Sequence, residues 1–106
     1  MKEYVPKIKD IYGDKLVKVI LYGSYARGDY NEDSDVDVMV LLDIDNNLLR
    51  KETKGIFDVT YDLNLERDTY IVPIIKGKKF FNRWQNISPL FRNIKKEGII
   101  LYDQDN

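Results

Sequence analysis

The chain has 106 residues, 43% of them hydrophobic, with 17 basic and 18 acidic side chains and a formal net charge of −1. It contains neither cysteine nor histidine, which excludes disulfides, thiolate nucleophiles, Ser-His-Asp catalysis and every metal centre built on Cys or His. Carboxylates are what remain for metal binding or base catalysis.

The length suits one domain spanning residues 1–106, with a single core and no room for a separate substrate domain. The opening "MKEYVPKIKD" has no apolar signal core, and no apolar run approaches the roughly 18 residues of a membrane span. The expectation is a cytoplasmic protein without membrane contact. Charge is unevenly spread: residues 29–68 carry twelve acidic and four basic side chains, whereas residues 76–96 carry seven basic and no acidic ones. One part suits cations and the other anions, although the near-zero total disfavours nucleic acid as a partner.

In chain order, residues 3–12 suit a short amphipathic helix with Pro6 in its first turn. "LVKVILY", Leu16 to Tyr22, is β-branched and apolar and stops at Gly23, as a central strand does. "SYARGDYNEDS" has the composition of a turn or short helix followed by a loop. Val36 to Leu42 reads as a second strand, broken by Asp43 to Asn47. From Leu48 to about Glu66 two periods compete: Ile56, Val59 and Leu63 at helical spacing, and Phe57, Val59, Tyr61, Leu63 and Leu65 in alternation. A crossover helix is favoured, because it lets the strands on either side share one sheet. Thr69 to Ile75 is the third strand, with Pro73 placing it at an edge or bulge. "KKFFNRWQ" suits a short helix whose Phe80, Phe81 and Trp84 are core or else a partner-facing patch. Ser88 as N-cap, Pro89 at the first position, Lys95 and Lys96 in the last turn and Gly98 beyond it define another helix. Ile99 to Tyr102 closes the chain as a strand. The fold class is therefore α/β (α+β), a mixed sheet of about four strands flanked by helices.

Strand alternation puts Asp35, Asp37, Met39 and Leu41 on one side of the second strand and Val36, Val38, Val40 and Leu42 on the other. Two same-face carboxylates at a strand entrance repel each other and need a cation or a proton. Oxygen donors without nitrogen or sulfur point to Mg²⁺ or Mn²⁺, usually completed by substrate phosphates. Gly23 lets backbone approach a ligand, and the Ser24 hydroxyl and neighbouring N–H groups suit phosphate oxygens. Gly23 to Gly28 is not a Walker A loop, since Asp29 and Tyr30 follow where Lys and Ser/Thr are required. Arg27 has two readings, phosphate contact or an ion pair with Asp29 or Asp33. Lys76, Lys78, Lys79 and Arg83 likewise either flank a phosphate cleft or form a solvated face.

"GSYARGDYNEDSDVD" matches G-S-x10-D-x-D, and the chain thereby resembles the DNA polymerase β-like nucleotidyltransferases, specifically their minimal branch (MNT). "SPLFRNIKKEGIILY" is similar to that family's closing helix, glycine and strand. The resemblance implies the nucleotidyltransferase fold and transfer of a nucleoside monophosphate from NTP, ATP above all, to a hydroxyl. It implies that Gly23 and Ser24 hold the triphosphate and that Asp35 and Asp37 ligate metal in two-ion chemistry. Active members also carry a third acid on the next strand. Tyr70 or Ile71 stands about there in this chain, so Asp68 becomes the expected third catalytic and metal-binding carboxylate. Glu66 follows it, and Asp58 or Asp62 competes if residues 57–65 form a strand. By the same resemblance the acceptor is a tyrosine of a helical HEPN toxin, the chain acting as antitoxin in a hetero-complex. Two alternatives stand beside this: a catalytically weak or inactive nucleotide-binding module that neutralises its partner by occlusion, and transfer to a small molecule or RNA.

Overall fold

The computed structural model describes residues 3–105. Four strands form one sheet in the order β3-β2-β1-β4: β1 Leu16–Tyr22, β2 Val36–Leu42, β3 Ile71–Gly77 and β4 Ile99–Asp103. β1 runs antiparallel to both β2 and β4, and β2 runs parallel to β3. The sheet is mixed, as expected, and Pro73 lies on an edge strand, where its missing N–H removes no central ladder bond. Among the described residues no helix is long and apolar enough to cross a membrane.

Among the described residues six α-helices flank the sheet: α1 Tyr4–Tyr12, α2 Ser24–Arg27, α3 Leu49–Glu52, α4 Lys54–Arg67, α5 Lys78–Trp84 and α6 Pro89–Glu97. Period-2 alternation along β2 divides the core. Val36, Val38, Val40 and Leu42 pack with Tyr4, Ile8 and Tyr12 of α1, Leu49 of α3 and Ile56 and Leu63 of α4. Met39 and Leu41 pack on the opposite side with Phe81 of α5 and Phe91 and Ile94 of α6. Along β1 the register shifts between Leu16 and Lys18. This bulge lets Leu16 and Val19 share one core while Val17 and Ile20 serve the other.

The stretch that fitted two periods is helical. Ile56, Thr60 and Leu63 turn inward, and Phe57, Tyr61 and Leu65 are exposed. The apparent alternation arose from apolar residues distributed around the helix. The helix is also interrupted at Thr53, giving α3 and α4 in place of one element over 48–66. Thr60, the buried polar residue of this core, donates to the Ile56 carbonyl at 2.6 Å, and its Oγ1 meets the Tyr4 hydroxyl at 2.7 Å. The crossover through α3 and α4 is what allows β2 and β3 to lie parallel.

The last helix forms as its punctuation implies: the Ser88 hydroxyl accepts from the Phe91 N–H at 3.3 Å, and Pro89 opens the helix. Gly98 has a different reason from the usual left-handed cap. Its φ is −68°, and a Cβ there would collide with the Ile94 carbonyl and with Ile20. The residue is small because α6 passes directly onto β1.

Candidate nucleotide and metal site

β1 ends at Tyr22, which pairs in register with Asp37 near the start of β2. Between them the chain must turn away from the sheet, and Gly23 makes that turn at φ +76° and ψ −153°, a combination open essentially to glycine alone. A Cβ at Gly23 would stand 2.5 Å from Oδ2 of Asp37. Backbone and carboxylate are thus in direct apposition, and the missing side chain is what permits it. Ser24 opens α2, whose first N–H groups have no partner inside the helix.

The return path to β2 is held by local bonds. Tyr25 and Tyr30 stack with ring centroids 4.2 Å apart. Asn31 Oδ1 accepts from the Asp33 N–H at 2.8 Å, and the Ser34 hydroxyl accepts from the Asn31 N–H at 2.9 Å. These turns deliver Asp35 and Asp37 to the same side as Gly23 and Ser24. Together with Tyr22, Arg27 and Ser34 they line an open cleft of about 420 Å³, closed on its far wall by Leu90, Asn93 and Glu97 of α6.

The electrostatics follow from this crowding. Burial raises the Asp37 carboxyl above the usual carboxylate range, the charge of Asp35 raises it further, and Arg27 counters. Burial, with the Asp37 charge behind it, pushes the Tyr22 hydroxyl up to about 12, so it remains a neutral phenol. Arg27 donates to Asp29 Oδ2 at 3.1 Å and to Glu97 Oε1 at 3.2 Å, bridging the α2 turn to α6. One of the expected ion pairs, with Asp29, forms; the second goes to Glu97, which α6 brings from 70 residues away.

Asp35 and Asp37 fit one hard divalent ion: two like-charged carboxylates at one strand entrance, one held against its preference to ionise, in a chain without soft donors. Asp68 is placed elsewhere. It ends α4 in a left-handed conformation, φ +52°, a role that Asp tolerates better than most residues. It does not line the cleft, and among the described residues no group of three His, Cys, Asp or Glu side chains converges as a metal site. The expected triad of Asp35, Asp37 and Asp68 is therefore not assembled. β3 begins later than Thr69, at Ile71, so Asp68 and Glu66 both belong to the end of α4. Asp58 and Asp62 lie on α4 as well, Asp58 paired with Lys54 at 2.6 Å.

The basic run also falls elsewhere. Lys79 and Arg83 line a hollow of about 550 Å³ at the other end of β2, with Asp43, Asn46, Phe80 and Trp84. None of Lys76, Lys78, Lys79 or Arg83 lines the carboxylate cleft. Phe81 is core, Phe80 is partly buried against Phe91, and Trp84 is 37% exposed. Sequence reasoning did not find Tyr22, Ser34, Leu90, Asn93 or Glu97 as cleft residues. Tyr22 directly precedes the motif and Ser34 is the last of its ten intervening residues, so both were open to discovery; the α6 residues carried no local signal.

Comparison with known proteins identifies the family. A family model for the nucleotidyltransferase domain matches residues 1–101. A Methanocaldococcus jannaschii protein named "Putative protein adenylyltransferase" is 36% identical over 102 residues, covering 96% of this chain and 94% of that one. A second of the same name and organism is 46% identical over 78 residues, 74% of this chain and 77% of its own. A solved toxin-antitoxin structure with AMP-PNP matches with a TM-score of 0.61 over 97% of this chain and 73% of that chain, at 19% identity. A nucleotidyltransferase structure from Sulfolobus solfataricus gives 0.56 over 99% and 78%, at 20% identity. At such identities these two structures speak for the fold alone. With the family model spanning nearly the whole chain and a relative more than one-third identical across its length, the chain belongs to the nucleotidyltransferase-domain family.

Proposed function

We propose that this domain, residues 1–106, is a cytoplasmic, Mg²⁺-dependent (or Mn²⁺-dependent) adenylyltransferase that moves AMP from ATP to a tyrosine hydroxyl of a helical HEPN toxin, acting as its antitoxin. The observation that carries the reading is the apposition of Gly23 with Asp37 in a cleft shared with Ser24, Asp35 and Arg27. The names of the relatives, protein adenylyltransferases, support the reaction, and the fold shared with a toxin-antitoxin structure containing AMP-PNP supports the substrate and the kind of partner.

Without a Cβ at Gly23 the backbone can approach a phosphate beside the Asp37 carboxylate, while the Ser24 hydroxyl and the first N–H groups of α2 donate hydrogen bonds to its oxygens. Arg27, already in the cleft, keeps Asp29 and Glu97 and offers its remaining guanidinium N–H groups to phosphate oxygens, a charge-assisted contact. Asp35 and Asp37 hold the divalent ion, which when bound neutralises phosphate charge and polarises the phosphorus under attack. The acceptor hydroxyl oxygen bonds to the α-phosphorus and gives its proton to solvent as the bond to pyrophosphate breaks, and the open cleft gives a partner's side chain access.

The test is to purify the chain with its helical partner, add ATP and Mg²⁺, and measure intact masses. The partner should gain one or more AMP units, and Asp35→Asn combined with Asp37→Asn should abolish the gain. A partner that is neutralised with no mass change, equally well by that double variant, would establish the alternative of occlusion. Salt-sensitive RNA binding by the isolated domain would instead favour transfer to RNA.

A further inference from the structure

The parallel register of β2 and β3 pairs Asp37 with Val72. Such partners project to the same face from strands about 4.8 Å apart. Packing identifies that face: Ile74 joins Met39 and Leu41 in the core beneath α5 and α6, whereas Ile71 and Ile75 join Val36 and Val38 in the other. Val72 therefore stands beside Asp37 on the cleft side of the sheet, 42% exposed. On the other flank, Asp37 pairs with Tyr22, a neutral phenol. Among the described residues the one other carboxylate lining the cleft, Glu97, is engaged by Arg27, which also holds Asp29.

Two-ion phosphoryl transfer sets its ions about 3.5–4 Å apart, each needing its own oxygen ligands. Mg²⁺ demands near-octahedral coordination, and one or two carboxylates with phosphate oxygens and water complete a single such shell. Asp35 and Asp37 meet that requirement once. A second ion on the β3 side of Asp37 would face the branched alkyl group of Val72, which offers no ligand and repels a hydrated cation's water shell.

Resting on the nucleotidyl-transfer reading, we propose that this chain holds a single divalent ion per bound nucleotide, and that Val72 sets that number at one. Position 72 is exposed and on an edge strand, so an acid there is compatible with folding. The experiment is a Mn²⁺ titration of the full chain with a non-hydrolysable ATP analogue, free Mn²⁺ being counted by electron paramagnetic resonance and folding being checked by thermal unfolding. Wild type should take up one Mn²⁺ per protein-nucleotide complex, Val72→Asp two, and Val72→Ala one, since removing bulk supplies no ligand. Two ions in wild type overturn the proposal, as does a second ion admitted by Val72→Ala. A folded Val72→Asp that still holds one ion overturns the assignment to position 72. If wild type binds no analogue at all, the nucleotidyl-transfer reading fails and takes the inference with it, an outcome distinct from a wrong ion count.

Discussion

Gly23→Ala probes the contact on which the cleft is built. Alanine at φ +76° and ψ −153° occupies a backbone region that costs about 1–3 kcal/mol for a residue with a Cβ. The new methyl also lies 2.5 Å from Asp37 Oδ2, well inside van der Waals contact. The Asp37 side chain is half-buried and must rotate off its rotamer, adding about 0.5–1.5 kcal/mol. The total is about 1.5–4.5 kcal/mol, and its lower end lowers the midpoint of thermal unfolding by about 6 °C in a domain of this size. Thermal and urea unfolding in chelator measure the loss, and titration with Mg²⁺ and an ATP analogue should show weakened binding in the same variant. The two causes separate in a double-mutant cycle: Asp37→Ala relieves the collision and leaves the backbone cost intact. A loss below about 0.5 kcal/mol, or complete recovery in the double variant, refutes the strained-glycine argument.

Asp37→Asn addresses the same site through pH. Because the folded-state pKa is raised, the stability that protonated Asp37 contributes is fully present below its ordinary pKa near about 4 and lost as pH rises through the raised value. In chelator at neutral pH the Asn variant should therefore melt higher than wild type, with the difference fading as pH falls; a lower melting point at neutral pH contradicts this sign. Ser88→Ala removes the bond that satisfies the Phe91 N–H and should cost about 1 kcal/mol by urea unfolding, while Ser88→Asp, also a good cap, should restore most of it. An unchanged urea midpoint for Ser88→Ala would mean that the cap contributes nothing. Arg27→Ala should leave the urea midpoint essentially unchanged, since both its ion pairs are solvent-exposed, yet weaken binding of the ATP analogue about tenfold or more. Unchanged affinity by calorimetry would remove Arg27 from the phosphate contacts.

Much of the architecture was legible because its causes are local. The β-branched runs at 16–22 and 36–42 formed strands with those bounds, and the Ser88-Pro89 start and Gly98 end delimited α6. Where the reading was less accurate, tertiary packing had intervened. The third strand runs from Ile71 to Gly77, two residues later than expected, because α4 continues through Arg67 and Asp68 ends it. The basic run was placed by helix α5 against the far end of β2, which no local spacing indicates.

The order of residues along a single strand or turn was enough to bring Gly23, Ser24, Asp35 and Asp37 to one cleft, because their relative positions are set by one short connection and a two-residue period. Which residues surround that cleft was another matter. Val72 reaches the flank of Asp37 through a parallel register set by the crossover of α3 and α4, and Glu97 reaches Arg27 because the apolar face of α6 docks on β1. Register and docking depend on how side chains from distant segments fill shared volume. That information is spread across the chain and takes effect only when the core closes.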